Sequence, residues 1–371
     1  MCVRREPRMV PNWRLDFKLK SSTINRLGRL AQLAEHRFYT PGVTGSSPVP
    51  PTIEIVPVVS VICFHAGRRV LMNKFQYLLG NSSVILADGA MGTMLFEAGL
   101  ESGDSPQAWN ITHPERVRAV HRAYLEAGSQ LILTNTFGSN RFRLARHNLQ
   151  AQVAEFNRAG AALLRAEVDH AGGRALAAGD IGPSGELLAP LGKLKYADAA
   201  DAFAEQAGAL VAAGVDLIWI ETMSALEEVQ AAIEGVRRVS VEIPIVVTMT
   251  FEKHGRTMMG VTPAQAVKSI IDWGACALGG NCGTGPEELL NIIRTMHGLM
   301  PEMPLIFKPN AGVPVLLNGK TTYNATQESM AQSAREAVNA GARVVGACCG
   351  STPAHLRAIS EGFRGRIAPS A

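Results

Sequence analysis

Residues 213–222, Ala-Gly-Val-Asp-Leu-Ile-Trp-Ile-Glu-Thr, contain the pattern that decides the fold. An alanine-rich helical segment ends at Gly214, a short apolar run predicts a strand, and polar Glu221 and Thr222 follow that run. Glycine is favoured just past a helix end because it adopts the left-handed conformation without steric cost. The same joint between helix and strand recurs at three further glycines, Gly128, Gly274 and Gly341.

Counting outward from this joint predicts eight strands, at 84–88, 131–135, 175–180, 217–221, 245–250, 275–280, 305–309 and 344–347. These are continuous apolar runs, as expected for parallel strands buried on both faces. Four prolines stand where helices should begin, Pro114, Pro263, Pro286 and Pro353. The repeated unit predicts an α/β fold, a single-domain (β/α)8 TIM barrel. An open doubly wound sheet is the alternative, but no Gly-rich dinucleotide turn follows the first strand.

Composition and charge narrow the class of protein. The 371 residues are 47% apolar and 18% charged, which excludes a fibrous or wholly disordered protein and permits a large core. The net charge is +4, but residues 1–71 hold 11 Lys and Arg against 4 Asp and Glu, whereas residues 72–371 hold 25 against 28. The basic excess therefore belongs to the head, and we predict neither a nucleic-acid partner nor a membrane span for the barrel.

The head, residues 1–71, is predicted to form no domain, and its segment 41–51 has a Pro-, Gly- and Ser-rich loop composition. It is basic and contains Ser, which is typical of a transit peptide or of a basic arm for nucleic acid. Segment 30–51 also resembles the translation of a bacterial tRNA gene, which favours a start codon assigned too far upstream. We favour this third explanation and predict that the protein starts at Met72. The barrel domain is then predicted at 72–371. We also predict a cytoplasmic location.

Chemically useful residues follow the predicted strands. The active site of such a barrel lies at the carboxyl ends of its strands. Polar and sulfur-containing residues cluster there, at 88–93, 134–138, 179–183, 221–223, 280–283, 308–312 and 348–350.

Three cysteines at strand ends are the most informative of these residues. Cys282 follows the sixth strand, and Cys348 and Cys349 follow the eighth, only one strand away in a closed barrel. Three thiolates with one open position form a zinc site, although a redox disulfide between the adjacent cysteines or inert packing would also fit the spacing. Cys276 is expected to be a small core residue inside the sixth strand. A secreted disulfide scaffold would be shorter and denser in cysteine.

The segment 84–362 resembles the homocysteine S-methyltransferase family, which includes betaine–homocysteine methyltransferase and the homocysteine-binding domain of cobalamin-dependent methionine synthase. The matching stretches occur in family order: 88–93 DGAMGT, 134–137 TNTF, 179–183 GDIGP, 219–222 WIET, 280–283 GNCG and 346–350 GACCG. The resemblance implies a methyltransferase that binds one Zn²⁺ per chain through Cys282, Cys348 and Cys349. It also implies that the substrate homocysteine is converted to methionine.

The resemblance further implies the residues that bind homocysteine. Asp88 and Glu221 match family positions near its amino group, and the backbone of Gly89, Ala90 and Met91 matches the turn near its carboxylate. A buried carboxylate such as that of Glu221 needs a cationic partner, which the substrate ammonium would supply. Further candidates, each with a structural explanation as well, are Asn135, Thr136, Phe137, Asn281, Lys308 and Asn310. His113, His121 and His147 are expected on helices as surface or packing residues, and a donor-binding role of His254 has no support.

The expected reaction is methyl transfer to a thiol. A free thiol has a pKa of roughly 8.5, and coordination to zinc deprotonates it. The methyl donor stays open between a small onium compound, such as betaine, S-methylmethionine or S-adenosylmethionine, and a methylated corrinoid on a separate protein. A metal-dependent hydrolase is disfavoured because the strand ends are rich in Cys rather than His. A non-enzymatic zinc protein is disfavoured because no fourth Cys or His stands out.

Overall fold

The computed structural model describes residues 61–65, 68–317 and 320–367. Their main sheet has eight parallel strands: β1 Ile85–Leu86, β2 Leu131–Leu133, β3 Leu176–Ile181, β4 Leu217–Met223, β5 Ile245–Met249, β6 Ala277–Cys282, β7 Leu305–Pro309 and β8 Ala342–Val345. Sequential strands are neighbours from β2 to β8, and β8 pairs with β1. A parallel bridge between Ala87 and Leu131 brings β1 against β2 and nearly closes the sheet. The predicted eight-stranded barrel is confirmed.

Helices surround the barrel in the order that the repeated joints predict. Their bounds are α1 Lys74–Asn81, α2 Met91–Glu97, α3 Trp109–Thr112, α4 Pro114–Glu126, α5 Arg141–Ala145, α6 Val153–His170, α7 Tyr196–Ala212, α8 Leu226–Val239, α9 Pro263–Asp272, α10 Pro286–Leu299, α11 Gln327–Asn339 and α12 Pro353–Gly362. The four prolines predicted at helix starts each begin a helix. The four joint glycines have φ between 80° and 108°, as a helix-ending glycine should. No helix among the described residues has the length and apolar character that a membrane span requires.

Short elements complete the described part of the chain. Single 3₁₀ turns lie at Pro106–Ala108, Gln150–Gln152 and Lys253–Gly255, and Val315–Leu317 forms a hairpin with Lys320–Thr322 after β7. Val61–His65 and Arg68–Met72 form another antiparallel hairpin, which the sequence analysis did not predict. Residues 1–60 lie outside the described residues, so the explanations of the head stay predictions, as does a domain boundary at Met72.

Strand bounds differ from the prediction by a few residues. β6 begins at Ala277 rather than Ala275, so the placement of Cys276 inside this strand was wrong. Ala275 and Cys276 lie between the left-handed Gly274 and Ala277, the first residue of β6 that pairs with β5, and the Cys276 N–H already donates to the Ile245 carbonyl at 2.8 Å. β4 and β6 each run two residues further than predicted, which carries their ladders towards the site.

Alternation along the strands positions the site. Side chains of every second strand residue point into the barrel. A buried apolar cluster fills its interior and includes Ala178 of β3, Trp219 of β4 and Ile306 of β7. The next inward position on each of these strands holds a polar residue: Asp180, Glu221 and Lys308. An apolar layer therefore lies beneath a charged layer at the carboxyl ends of the strands.

Candidate active site

A cavity of about 330 Å³ opens at the carboxyl ends of the strands. Among its lining residues are all nine that the sequence analysis assigned to the site: Asp88, Gly89, Ala90, Met91, Asn135, Glu221, Cys282, Cys348 and Cys349. Residues from β1, β2, β4, β6 and β8, far apart in the chain, therefore meet in one place.

Three cysteine sulfurs form the centre of this site. Their Sγ atoms all lie within 4.8 Å of one another, with Cys282 Sγ at 2.8 Å from Cys348 Sγ and 3.8 Å from Cys349 Sγ. Cys282 has a positive φ of 58°, which is uncommon for a residue with a side chain and ends the strand at this position. Cys348 and Cys349 come directly before Gly350, where a side chain would collide with the ring of Tyr323.

The thiols influence one another's protonation. Hydrogen bonds from Cys282 and Cys348 lower the pKa of Cys349 to about 3, although burial opposes this shift. Hydrogen bonds to the other two sulfurs, with burial, raise the pKa of Cys282 well above its usual value. The three thiols are therefore coupled, and Cys349 is the one whose thiolate form its neighbours favour. Three soft donors converging on one point fit Zn²⁺, the ion that such sets of cysteines commonly bind.

Asn281 connects the sulfurs to the carboxylate of Glu221. Its side-chain amide donates to Thr222 Oγ1 at 2.7 Å, to Glu221 Oε2 at 3.5 Å and weakly to Cys348 Sγ at 3.8 Å, while its Oδ1 accepts from the Thr222 N–H at 2.9 Å. Burial raises the pKa of Glu221 to about 8, with Cys348 and Asp88 adding to the shift and Lys308 opposing it. A cation that reached Glu221 would favour its charged form.

Lys308 and Asp88 form a buried ion pair in the same cavity. Lys308 Nζ lies 2.7 Å from Asp88 Oδ1, and both side chains are at most 5% exposed. The other carboxylate oxygen of Asp88 accepts from the Leu133 N–H at 2.8 Å. The ammonium of Lys308 also lies 5.1 Å from the ring centre of Trp219, on the apolar layer beneath. Lys308, which the sequence left open, thus belongs to the site.

Hydrogen bonds to the backbone of Ala90 fix the turn from Gly89 to Met91. Ala90 N–H donates to Ser351 Oγ at 3.0 Å, and the Tyr124 hydroxyl donates to the Ala90 carbonyl at 2.8 Å. Gly89 packs so closely that a Cβ atom would lie within 2.8 Å of the Tyr124 hydroxyl. This arrangement explains the glycine; the predicted contact of the turn with a substrate carboxylate stays a prediction.

Asn135 lines the cavity, and its side-chain amide hydrogen-bonds to neighbouring loops of the fold. Its amide donates to the Pro106 carbonyl at 2.8 Å and to Asn110 Oδ1 at 2.9 Å, and its own carbonyl accepts from Asn110. None of these bonds uses Asn135 Oδ1, and the contact of Asn135 with substrate stays a prediction. Phe137 also lines the cavity, whereas Asn310, whose amide donates to the Gly283 carbonyl, and His254 are not among its lining residues.

Asp180 and Tyr323 were not assigned to the site from the sequence, although Asp180 lies within the stretch 179–183 noted there at a strand end. Asp180 at the end of β3 lines the cavity and is only 5% exposed. Its position in the inward alternation, two residues after Ala178, was the available signal. Tyr323 follows the hairpin after β7 and hydrogen-bonds to Cys349, which contributes to the low pKa of that thiol. Nothing in the sequence around Tyr323 indicated this contact, since the hairpin brings it back to the site.

The fold and the site together define a barrel enzyme that has a three-thiol centre inside a cavity of small-molecule size. The chain belongs to the homocysteine S-methyltransferase family, whose model matches residues 85–363. The resemblance described from the sequence motifs is thereby confirmed.

Individual relatives agree with this assignment. The chain is 32% identical over 291 residues to methionine synthase of Mycobacterium tuberculosis and 31% identical over 291 residues to that of Mycobacterium leprae. These matches cover 75% of this chain and 24% of each relative, so the chain spans about a quarter of their length.

Solved structures of one relative extend over almost its whole length. The homocysteine methyltransferase MmuM of Escherichia coli in its metallated form has 25% identity and a TM-score of 0.67, with 77% of this chain and 99% of that chain covered. Its oxidized form has 25% identity and a TM-score of 0.67, with 78% and 99% covered. A member of the same fold therefore exists in both a metal-containing and an oxidized state.

Proposed function

We propose that this protein transfers a methyl group to the thiol of homocysteine, giving methionine, at a Zn²⁺ ion bound by Cys282, Cys348 and Cys349. The family supports the substrate, and the convergence of the three sulfurs within 4.8 Å is the observation that carries the metal assignment. When bound, the zinc would hold the substrate sulfur as a thiolate and keep it nucleophilic at neutral pH.

The chain's own residues orient the substrate. Glu221 offers a buried carboxylate to the substrate ammonium, and Asn281 holds that carboxylate beside the sulfurs. The turn at 89–91, fixed by Ser351 and Tyr124, faces the cavity where the substrate carboxylate is expected. Asp88 lines the same cavity and shares its charge with Lys308. No general base is required at the methyl carbon, because the attacking sulfur is already ionised.

Two classes of methyl donor are candidates for this reaction. Similarity to methionine synthase favours a methylated corrinoid, which we expect to be carried by a separate protein. A small onium compound, the other class of donor that the family resemblance leaves open, is the second candidate.

The barrel at 72–371 is proposed as one domain, and the enzyme as cytoplasmic. Cys282 and Cys348 are free thiols 2.8 Å apart, and the reducing cytoplasm would protect them from oxidation. We expect a metal-free preparation exposed to air to lose these thiols and, with them, the activity that added zinc would restore.

One assay tests the function and the donor. Zinc-loaded protein is mixed with homocysteine and, in turn, betaine, S-methylmethionine, S-adenosylmethionine and a methylcorrinoid protein, and methionine is measured by mass spectrometry. We expect methionine from one donor class, loss of activity with a chelator and recovery with added zinc. If homocysteine neither binds nor is methylated with any of these donors, the proposal is wrong.

A further inference from the structure

Two successive residues of β4, Glu221 and Thr222, line the cavity. In a regular strand successive side chains point to opposite faces, so only one of the two would face the inside of the barrel. The register of β4 against β5 shifts by one residue between Ile220 and Met223, which marks a bulge that contains both residues. Bulges beside active sites re-aim side chains, and this one brings Thr222 to the cavity.

The backbone of Thr222 has an uncommon conformation. Its φ is 60°, in the left-handed region, where a β-branched residue is an outlier that persists only when its surroundings hold it. Asn281 of β6 makes two hydrogen bonds that do so. Its Oδ1 accepts from the Thr222 N–H at 2.9 Å, and its Nδ2 donates to Thr222 Oγ1 at 2.7 Å. Asn281 therefore fixes both the backbone and the hydroxyl of Thr222.

The hydroxyl of Thr222 keeps its own proton available. A hydroxyl can donate one hydrogen bond and accept two. Thr222 Oγ1 accepts from Asn281, and its O–H has no acceptor within the part of the chain that the structure describes. Since Thr222 belongs to the wall of the cavity, a bound molecule can supply that acceptor.

The position of the hydroxyl indicates which group of the substrate it would meet. The same Asn281 Nδ2 atom lies 3.5 Å from Glu221 Oε2 and 3.8 Å from Cys348 Sγ, so hydroxyl, carboxylate and sulfur surround one nitrogen. A homocysteine that extends from the cysteine centre to Glu221 passes this hydroxyl. Its ammonium can only donate, and its carboxylate is expected at the turn 89–91, which leaves the sulfur as the acceptor.

We propose that the Thr222 hydroxyl donates a hydrogen bond to the sulfur of the thiol substrate at the three-cysteine centre, and that Asn281 positions it for this contact. The inference rests on the proposed function. A hydrogen bond to an ionised acceptor is stronger than one to a neutral acceptor. The contact therefore favours the thiolate form of the substrate over its neutral thiol.

The test removes the hydroxyl and keeps the shape. Thr222→Val retains the β-branch and the backbone N–H that binds Asn281 Oδ1, and isothermal titration calorimetry gives the Kd of homocysteine for each zinc-loaded protein. We expect a Kd about tenfold higher in Thr222→Val, the effect of losing one hydrogen bond to a charged group. Thr222→Ser restores the hydroxyl and should bind homocysteine within about threefold of the wild type.

The metal centre itself supplies a second measurement. We expect the Kd of zinc to be the same in the wild type and in Thr222→Val, because the hydroxyl contacts the substrate sulfur and not the three cysteines. Replacement of zinc by Co²⁺ makes the sulfur ligands visible by absorption spectroscopy. Thr222→Val should leave the spectrum of the substrate-free protein unchanged and shift the band that appears when homocysteine is added, because the electrons of that sulfur are then less stabilised.

Thr250→Val is the matched control. Thr250 Oγ1 donates to the carbonyl of the same Asn281 at 3.1 Å, but Thr250 is not among the lining residues of the cavity. We expect this variant to keep the wild-type Kd for homocysteine and both spectra. Thermal unfolding and zinc content show whether each variant is folded and loaded, and Thr222→Ala replaces Thr222→Val if the latter does not fold.

The remaining outcomes overturn the inference in distinguishable ways. If Thr222→Val binds homocysteine like the wild type, or Thr222→Ser binds it as weakly as Thr222→Val, the hydroxyl makes no contact with substrate, and the proposed function stands. If Thr222→Val also loses zinc affinity or changes the substrate-free spectrum, the hydroxyl acts on the cysteine centre instead. If the wild type neither binds nor methylates homocysteine, the proposed function fails, and the inference fails with it.

Discussion

At the scale of single residues, the centre depends on a backbone conformation as well as on three thiols. Cys282 adopts a left-handed φ of 58°, and β6 ends there. In a regular strand the residue after inward-facing Asn281 would point away from the barrel axis. The turn redirects the sulfur towards Cys348, which lies 2.8 Å away. Strain of this kind is typical of functional positions.

Removing any one of the three sulfurs should abolish the centre. We expect Cys282→Ala, Cys348→Ala and Cys349→Ala each to lose bound zinc and methionine formation, because two thiolates cannot form the three-sulfur site. Metal analysis and the methionine assay measure both effects. The matched control is Cys276→Ala, since Cys276 instead donates its S–H to the Ile245 carbonyl at 3.1 Å. A cluster variant with full zinc content and activity would contradict the assignment.

The Lys308–Asp88 pair should be costly to break from one side. Lys308→Met leaves the Asp88 carboxylate buried without its cation, which costs about 3–5 kcal/mol in comparable pairs. The double variant Lys308→Met with Asp88→Asn removes both charges and should recover part of that loss. Urea unfolding measures both free energies. Equal stability of the single and double variants would show that the pair has no such coupling.

At the scale of elements, strand alternation places charges inside the barrel and helix contacts hold the strands around them. α4 and α6 are joined by Glu167, whose side chain is 1% exposed and accepts from Arg118 at 2.6 Å and from Arg122 at 2.9 Å. Burial by itself would raise the pKa of Glu167, but the hydrogen bonds from Arg122 and Arg118 outweigh it and lower the pKa. The contact therefore stabilises the fold only while Glu167 is ionised.

Glu167→Gln should lower the free energy of unfolding by about 1–2 kcal/mol at neutral pH, a discounted value because both arginines are partly exposed. A carboxyl whose pKa is lowered by folding contributes stability above its unfolded pKa and loses it as the pH falls through the folded value. The difference between variant and wild type should therefore shrink in acid, as measured by urea unfolding at several pH values. Glu115→Gln is the control, since the exposed Glu115 contacts the same Arg118. A constant difference at all pH values would exclude the ionic explanation.

At the scale of the whole molecule, the barrel is closed at its amino-terminal end by α1. Phe75 of this helix is fully buried in the interior cluster that also contains Trp219. Lys74 pairs with Asp216 at 2.7 Å, and Asp216 also binds Arg165 at 3.1 Å. α1, which begins at Lys74, therefore contributes both an apolar and an ionic contact to this end of the barrel.

A chain that starts at Met72 should fold with a melting temperature close to that of the full chain and keep the methionine activity. Introducing Phe75→Ala into this shorter chain should cost about 3–5 kcal/mol, because it leaves a cavity beneath the charged layer. Thermal and urea unfolding of the three proteins measure these effects. A Met72 chain that does not fold would show that residues before it contribute to the barrel.

The sequence by itself determined the barrel, four helix starts, four helix ends and the position of three cysteines at strand ends. These features depend on local signals: apolar runs, Pro114 at a helix start, Gly214 after a helix end, and short motifs that can be recognised without knowledge of tertiary contacts. The strand bounds depend on the neighbouring strands as well, because a strand ends where its hydrogen bonds to them stop. The start of β6 at Ala277, after Cys276, is an example.

Only the tertiary structure decided how the charges of the site are shared. Asp88, Asp180, Glu221 and Lys308 come from four different strand ends, and nothing local indicates that Lys308 pairs with Asp88 rather than with another carboxylate. Such pairing depends on the distances between side chains from different strands of the closed barrel. Once a charged pair is buried, separating it leaves an uncompensated charge, which costs free energy. The unpartnered oxygen of Asp180 is visible for the same reason only after the other partners are known.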